Sequence, residues 1–125
     1  DATVLETKIV PDEPREIQAA VRSWCDDPAV DLVLTSGGTG FGRRDVTPES
    51  IKPLLQREAP GVVHAIYQGG LKYTPLAVLS RPVAGTRSNT LVITLPGSVK
   101  AVRENLGSVA PLLPRIINLL QGNAC

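Results

Sequence analysis

The sequence predicts a layered α/β domain, and three observations carry that prediction. Short β-branched or apolar runs alternate with segments of helical periodicity, the pattern of strands covered by helices. Two of the apolar runs, residues 30–35 and 91–95, are nearly continuous, as in strands buried on both faces of a parallel sheet. The 11 Gly and 11 Pro fall between periodic segments, where they act as punctuation.

Taken in order, residues 3–9 are β-branched and partly alternating, a strand closed by Pro11. Asp12 offers an N-cap, with Pro14 in the first turn, where a missing N–H costs nothing. Ile17, Val21 and Trp24 recur at helical spacing until Asp26-Asp27-Pro28 ends the helix. The strand at 30–35 empties into a glycine-rich turn that runs to Asp45. Thr47-Pro48-Glu49 starts a helix toward Gln56, which Pro53 should kink or shorten. Residues 62–66 belong to a further helix that Gly69-Gly70 should weaken or end. Short strands are expected at 76–79 and 83–87 around Pro82, with a turn at Asn89 and the second core strand at 91–95. Pro96-Gly97-Ser98 leads into a helix through Leu106, and a last helix covers about Ala110 to Leu120. The expected architecture is a three-layer α/β/α domain with a mainly parallel sheet.

Composition excludes several function classes. The 125 residues suit a single domain, and a chain of this size buries about two-thirds of its unfolded surface. Hydrophobic content of 42% with 20% charged residues excludes disorder. A net charge of +1 supplies no basic surplus for nucleic acid. One His and two Cys cannot make a four-ligand zinc site, and His64 alone leaves little room for Ser-His-Asp or Cys-His chemistry. His64, in an apolar stretch, reads as a packed helix residue. Cys25 and Cys125 pair only if the tail folds back, so they point to a reduced, cytoplasmic protein. No apolar run reaches the roughly 18 residues of a membrane span, and no leader opens the chain. Asp1 in place of Met leads to the expectation of a piece of a longer protein.

Two strand-to-helix junctions are the candidate sites of chemistry, because ligands in such folds bind beyond the carboxyl ends of strands. In the first, Gly37, Gly38 and Gly40 let backbone N–H groups approach an anion, and Thr39 adds a hydroxyl. It is not a P-loop, because no Gly-Lys-Ser/Thr follows, and not a dinucleotide fingerprint, because Gly38, Gly40 and Gly42 have the wrong spacing. A tight surface turn is the bland alternative. In the second, Pro96, Gly97 and Ser98 precede a helix whose positive end favours an anion, although Ser98 also reads as a simple cap. Two such junctions in one small domain suggest one site for two anionic groups. Asp12 and Asp45 each follow an expected strand and precede a helix, where carboxylates beside phosphates usually hold Mg²⁺. The competing readings are a cap for Asp12 and a turn residue paired with Arg43 or Arg44 for Asp45. Arg43 and Arg44 suit either a polyphosphate or a solvated turn.

Together these segments resemble the molybdenum-cofactor biosynthesis domain family. The likeness is carried by Ile9-Val10-Pro11-Asp12-Glu13, the run from Leu34 through Gly37-Gly38-Thr39-Gly40 to Asp45-Val46-Thr47-Pro48-Glu49, Arg57-Glu58-Ala59-Pro60-Gly61, Leu79-Ser80-Arg81-Pro82 and Leu95-Pro96-Gly97-Ser98. It covers nearly the whole chain in order and is most similar to molybdopterin adenylyltransferases of the MogA and MoaB type and to the plant and gephyrin G domains. The resemblance implies a MoaB/Mog-like domain over 1–125, a homotrimer, and transfer of AMP from Mg-ATP to the phosphate of molybdopterin. It implies catalytic roles for Asp12 and Asp45, with Mg²⁺ at either, and a substrate pocket lined by Gly37, Gly38, Thr39, Gly40, Ser80, Pro96, Gly97 and Ser98. A fused or separate molybdate-inserting domain is a further implied partner. The alternatives are a trimerising scaffold domain of a gephyrin-like protein and a molybdate-inserting domain of the same fold. The sequence departs from the family in three ways. The family's first strand, its Ser-Asp-rich phosphate loop and its first helix lie upstream of Asp1, so the domain is expected to be N-terminally incomplete. Gly70-Leu71 stands where the family commonly has Ser-Leu, losing a pterin-contacting hydroxyl, and Pro53 interrupts a helix.

Overall fold

The computed structural model describes residues 2–123. Five helices, α1 (Pro14–Cys25), α2 (Thr47–Ile51), α3 (Pro60–Leu71), α4 (Val99–Val109) and α5 (Leu113–Leu120), pack on the strands β1 (Leu32–Ser36), β2 (Arg57–Glu58), β3 (Ala84–Arg87) and β4 (Thr90–Leu95). The sheet order is β1-β4-β3-β2.

Strand β4 is the centre of the molecule. All six of its residues are buried, and the alternation of its side chains sends Val92 to one face and Leu91, Ile93 and Leu95 to the other. On the first face Val92 joins Ile17, Val21 and Cys25 of α1, Val33 of β1, and Ile51 and Leu54. On the second, Leu91, Ile93 and Leu95 pack with Ile66 of α3 and Val109 of α4, with Leu113, Ile116 and Leu120 of α5 against them. The three-layer architecture therefore holds. Cys25 lies in the first core, and burial pushes its thiol up, so it stays protonated and packs as a small hydrophobe. The pairing with Cys125 lies outside the described residues.

Several sequence expectations are corrected. The sheet is mixed: β1 and β4 run parallel, but β3–β4 and β2–β3 are antiparallel. The cause is local, because Ser88 and Asn89 join β3 to β4 as a two-residue hairpin with Ser88 at φ 54°, and parallel neighbours would need a crossover. Residues 3–9 form no strand; they are irregular and exposed, with Ile9 96% accessible. β-branched composition reflects fit to a pleated, half-buried surface and does not by itself pair a strand, so these residues leave the free edge of β1 unpaired among the described residues. The segment is instead tied to α1, where Trp24 Nε1 donates to the Glu6 carboxylate at 2.6 Å. Asp12 does not cap α1, since Glu13 occupies that position and makes no side-chain cap bond. Strand β1 is only partly buried, with Leu34 exposed, because it lies at a sheet edge among the described residues. Residues 76–79 form a 3₁₀ turn within Pro75–Leu79, started by Pro75 and by Thr74 Oγ1 accepting from the Leu76 amide. Helix α3 continues through Gly69-Gly70. A Cβ at Gly69 would stand 2.6 Å from the Cβ of Ser108, so the glycines serve close packing of α3 on α4. His64 is exposed on α3 and belongs to no core. Pro53 does shorten its helix, as α2 gives way to the 3₁₀ turn Lys52–Leu54.

Candidate anion-binding site

Because β1 and β4 are parallel neighbours in register from Leu32↔Leu91 to Ser36↔Leu95, their carboxyl ends release two loops side by side. The loops are bonded together: the Gly37 amide donates to Leu95 O at 2.9 Å, and Ser36 Oγ donates to Pro96 O at 2.9 Å. A Cβ on Gly97 would meet the Gly37 Cα at 3.4 Å, so the two backbones are in direct contact. Between them opens a concavity of about 410 Å³, the size of a small-molecule site. It is lined by Gly37, Gly38, Thr39, Gly40, Asp45, Leu79, Ser80, Pro96, Gly97 and Ser98.

The structure thus gathers every sequence-derived site residue except Asp12. Asp12 is exposed ahead of α1 and does not line the concavity. Arg43 and Arg44 are also exposed and outside it.

The glycines have identifiable reasons. Gly37 and Gly38 adopt φ of +98° and +72°, the region closed to most side chains, and a Cβ on Gly38 would stand 2.2 Å from Thr47 Oγ1. Gly40 and Gly42 wrap the Asp45 carboxylate, since a Cβ on either would fall within 2.9 Å of its Oδ2. That oxygen accepts the Gly42 amide at 2.9 Å, and the Asp45 amide donates to Gly42 O at 3.0 Å. Asp45 is therefore held by its own loop and pairs with neither Arg43 nor Arg44. Thr39 is buried, with its hydroxyl 3.0 Å from Ser80 Oγ, while Tyr67 donates to Ser80 O. Ser98 caps α4 by accepting the Ala101 amide at 3.1 Å. The cap reading holds, and the same residue lines the site.

Arg81 has no role that the sequence motifs alone assign. Its backbone N–H donates to Thr39 O at 2.8 Å, its Nε to Gly40 O at 2.9 Å and its Nη2 to Asp45 O at 2.9 Å. Its remaining charge meets Glu49, and the Phe41 ring lies 5.2 Å from the guanidinium carbon. The signal that was available is an Arg between Ser80 and Pro82 with no acid close by in sequence.

A second chamber of about 170 Å³ shares Ser80 and Pro96 with the first. Its walls include Ile66, Tyr67, Leu76, Ala77, Pro82 and Ala101, with Thr74, Glu104 and Asn105 as polar members. One Glu104 oxygen is shielded from water without a hydrogen-bond partner among the described residues. Gly70 is part of this wall, and a Cβ there would press on Ala77 at 2.9 Å and Asn105 at 3.2 Å. Among the described residues no group of three or more His, Cys, Asp or Glu stands together as a metal site.

Comparison with known proteins decides the family. The description "Probable molybdopterin binding domain" matches residues 1–115. The chain belongs to this family. Gephyrin of Dictyostelium discoideum is 55% identical over 113 residues, which are 90% of this chain and 16% of that protein. Molybdopterin adenylyltransferase of Helicobacter pylori J99 is 43% identical over 116 residues, 93% of this chain and 66% of that enzyme. The crystal structure of the molybdopterin biosynthesis enzyme MoaB from Thermus thermophilus superposes with a TM-score of 0.83 at 49% identity, covering 90% of this chain and 71% of that one. This molybdopterin-binding domain thus spans about a sixth of the gephyrin relative's length and about two-thirds of the bacterial enzyme's. Among the described residues no helix is long and apolar enough to cross a membrane.

Proposed function

We propose that this domain is a molybdopterin adenylyltransferase. A phosphate oxygen of molybdopterin attacks the α-phosphorus of ATP, the bond from that phosphorus to the bridging oxygen breaks, and pyrophosphate leaves. The observation that carries the reading is the union of two glycine-lined strand-to-helix loops in one concavity, with Asp45 at its edge. Such a reaction joins two phosphate-bearing substrates and needs positioning and charge neutralisation more than a protein base. Backbone amides and the N-terminus of α4 supply donors for both. The adenylyltransferase relatives support the same chemistry.

Asp45 lines the concavity with one carboxylate oxygen engaged by the Gly42 amide, and Asp12 reaches the site only if its segment moves. With no cluster of three ligands among the described residues, Mg²⁺ would be held by substrate phosphates and one carboxylate, its usual mode, and would neutralise the polyphosphate charge. The adjoining chamber suits the pterin ring. Its walls offer flat apolar contact, and the unpartnered Glu104 oxygen can accept the neighbouring N–H donors of an aminopyrimidinone edge. Adenine presents a donor beside an acceptor there and fits a carboxylate less well. Gly70, in place of Ser, brings no hydroxyl to this wall, where the backbone packs directly on Ala77 and Asn105.

A homotrimer, cytoplasmic placement and a fused or separate molybdate-inserting domain complete the proposal. The exposed apolar Tyr73, Leu76, Val78 and Leu79 give one surface for self-association. The gephyrin relative favours a second reading, in which the same domain serves mainly as a trimerising scaffold. Incubation with molybdopterin and Mg-ATP tests the first reading. Adenylylated pterin with equimolar pyrophosphate is expected, and a stable trimer without either product would favour the scaffold.

A further inference from the structure

We propose that Arg81 is the positioning residue that turns the glycine loop into an anion cradle, an inference that rests on the adenylyl-transfer reading. Three carbonyls of one loop converge on this single residue from another element: that of Thr39 on its backbone N–H, and those of Gly40 and Asp45 on its guanidinium. In a trans peptide the C=O and N–H of one unit point in opposite directions. The Arg81 backbone N–H therefore turns the Gly40 amide away from it, its guanidinium does the same for the Phe41 amide through Gly40 O, and Gly40, which carries that second peptide unit, lines the concavity. A loop flipped the other way would face phosphate with carbonyl oxygens, which repel it. Arg81 itself does not line the concavity, and its charge is met by Glu49. It acts on the loop and not on substrate. The rigid guanidinium fork is what the geometry uses, since a Lys ammonium is a point charge on a flexible stem and cannot hold two separated carbonyls and a carboxylate together.

Inorganic pyrophosphate is the probe, with adenosine as the control that needs no anion cradle. Arg81→Lys and Arg81→Gln are each expected to weaken pyrophosphate binding about tenfold or more, a loss on the scale of one charge-assisted hydrogen bond. Adenosine affinity should change less than about twofold in both. Glu49→Gln leaves the three carbonyl bonds in place and should keep pyrophosphate affinity within about threefold. In the ¹⁵N-labelled wild-type protein, pyrophosphate should shift the Gly40 and Phe41 amide resonances, a measurement that needs no variant to fold. Wild-type pyrophosphate affinity in Arg81→Lys would overturn the proposal, because charge alone would then suffice. Equal loss of pyrophosphate and adenosine binding would reduce Arg81 to general structural support. Unshifted Gly40 and Phe41 amides would also overturn it. If this pattern holds while no adenylyl transfer occurs, the cradle stands and the reaction assigned to it fails.

Discussion

Asp45 sits where the glycine loop closes, one carboxylate oxygen bonded to the Gly42 amide and its carbonyl to Arg81. Asp45→Asn should keep this fold, since the amide oxygen can still accept from Gly42. Adenylyl transfer should fall at least about a hundredfold, the scale of losing a positioned charged group. Pyrophosphate release and thermal melting, measured together, check both halves; a folded variant with wild-type turnover would remove Asp45 from the mechanism. Gly97→Val tests the facing loop. Gly97 is exposed, with ordinary contact to Gly37 alone, so stability should change little, whereas a branched side chain at the mouth should weaken ATP binding. Unchanged affinity by calorimetry would leave Ser98 as a helix cap only. Glu49 gives the pH-dependent case. The Arg81 hydrogen bond, first among the causes, lowers its carboxyl below the ordinary range. The ionised form is therefore favoured by folding, and its stabilisation is present above the ordinary Glu value of about 4.3. It fades as pH falls through the lower folded value. The melting difference between wild type and Glu49→Gln should be small, because the pair is exposed, and should vanish in acid. A difference that persists or grows in acid would contradict this. At this scale the glycine loop was legible because its backbone conformations demand glycine. Arg81 was not, because its partners lie 32 to 42 positions away and only the fold brings them near.

The elements were legible where periodicity and punctuation agreed. Helix α1 ends at Cys25, ahead of Asp26-Asp27-Pro28, and β4 is the fully buried run that its composition suggests. Errors came where local preference met a tertiary constraint. Gly69-Gly70 reads as a breaker, yet α3 keeps both because Ser108 and Ala77 leave no room for a Cβ. Gly69→Ala should therefore destabilise by about 1–3 kcal/mol, as overpacking does, although Ala is the better helix former. Denaturant unfolding reads this directly, and a stabilised variant would show that the α3–α4 contact yields. The direction of β3 was invisible for a related reason. A strand's apolar pattern does not encode whether its neighbour runs parallel, and the two-residue Ser88-Asn89 connection settles it.

At the scale of the whole molecule, β1 has one neighbour, β4, among the described residues, and residues 3–9 pair with no strand. A parallel edge is seldom left uncovered. We propose that an upstream strand completes the sheet beside β1 and that its loop closes the concavity. A protein extended upstream should melt higher and more cooperatively than residues 1–125 alone. Equal melting, with full activity of the shorter form, would count against that strand. Three-layer architecture was legible from alternation and length, whereas the joining of the two loops required the β1–β4 register. That joining supports the proposal that two phosphate-bearing substrates meet here and AMP passes from one to the other. The most direct test is to follow isotope from ATP labelled separately at the α- and γ-phosphates, with molybdopterin as acceptor and the upstream segment present. α-Label is expected in the pterin product and γ-label in pyrophosphate. Transfer of γ-label to the pterin, or hydrolysis of ATP without labelled pterin, would contradict it.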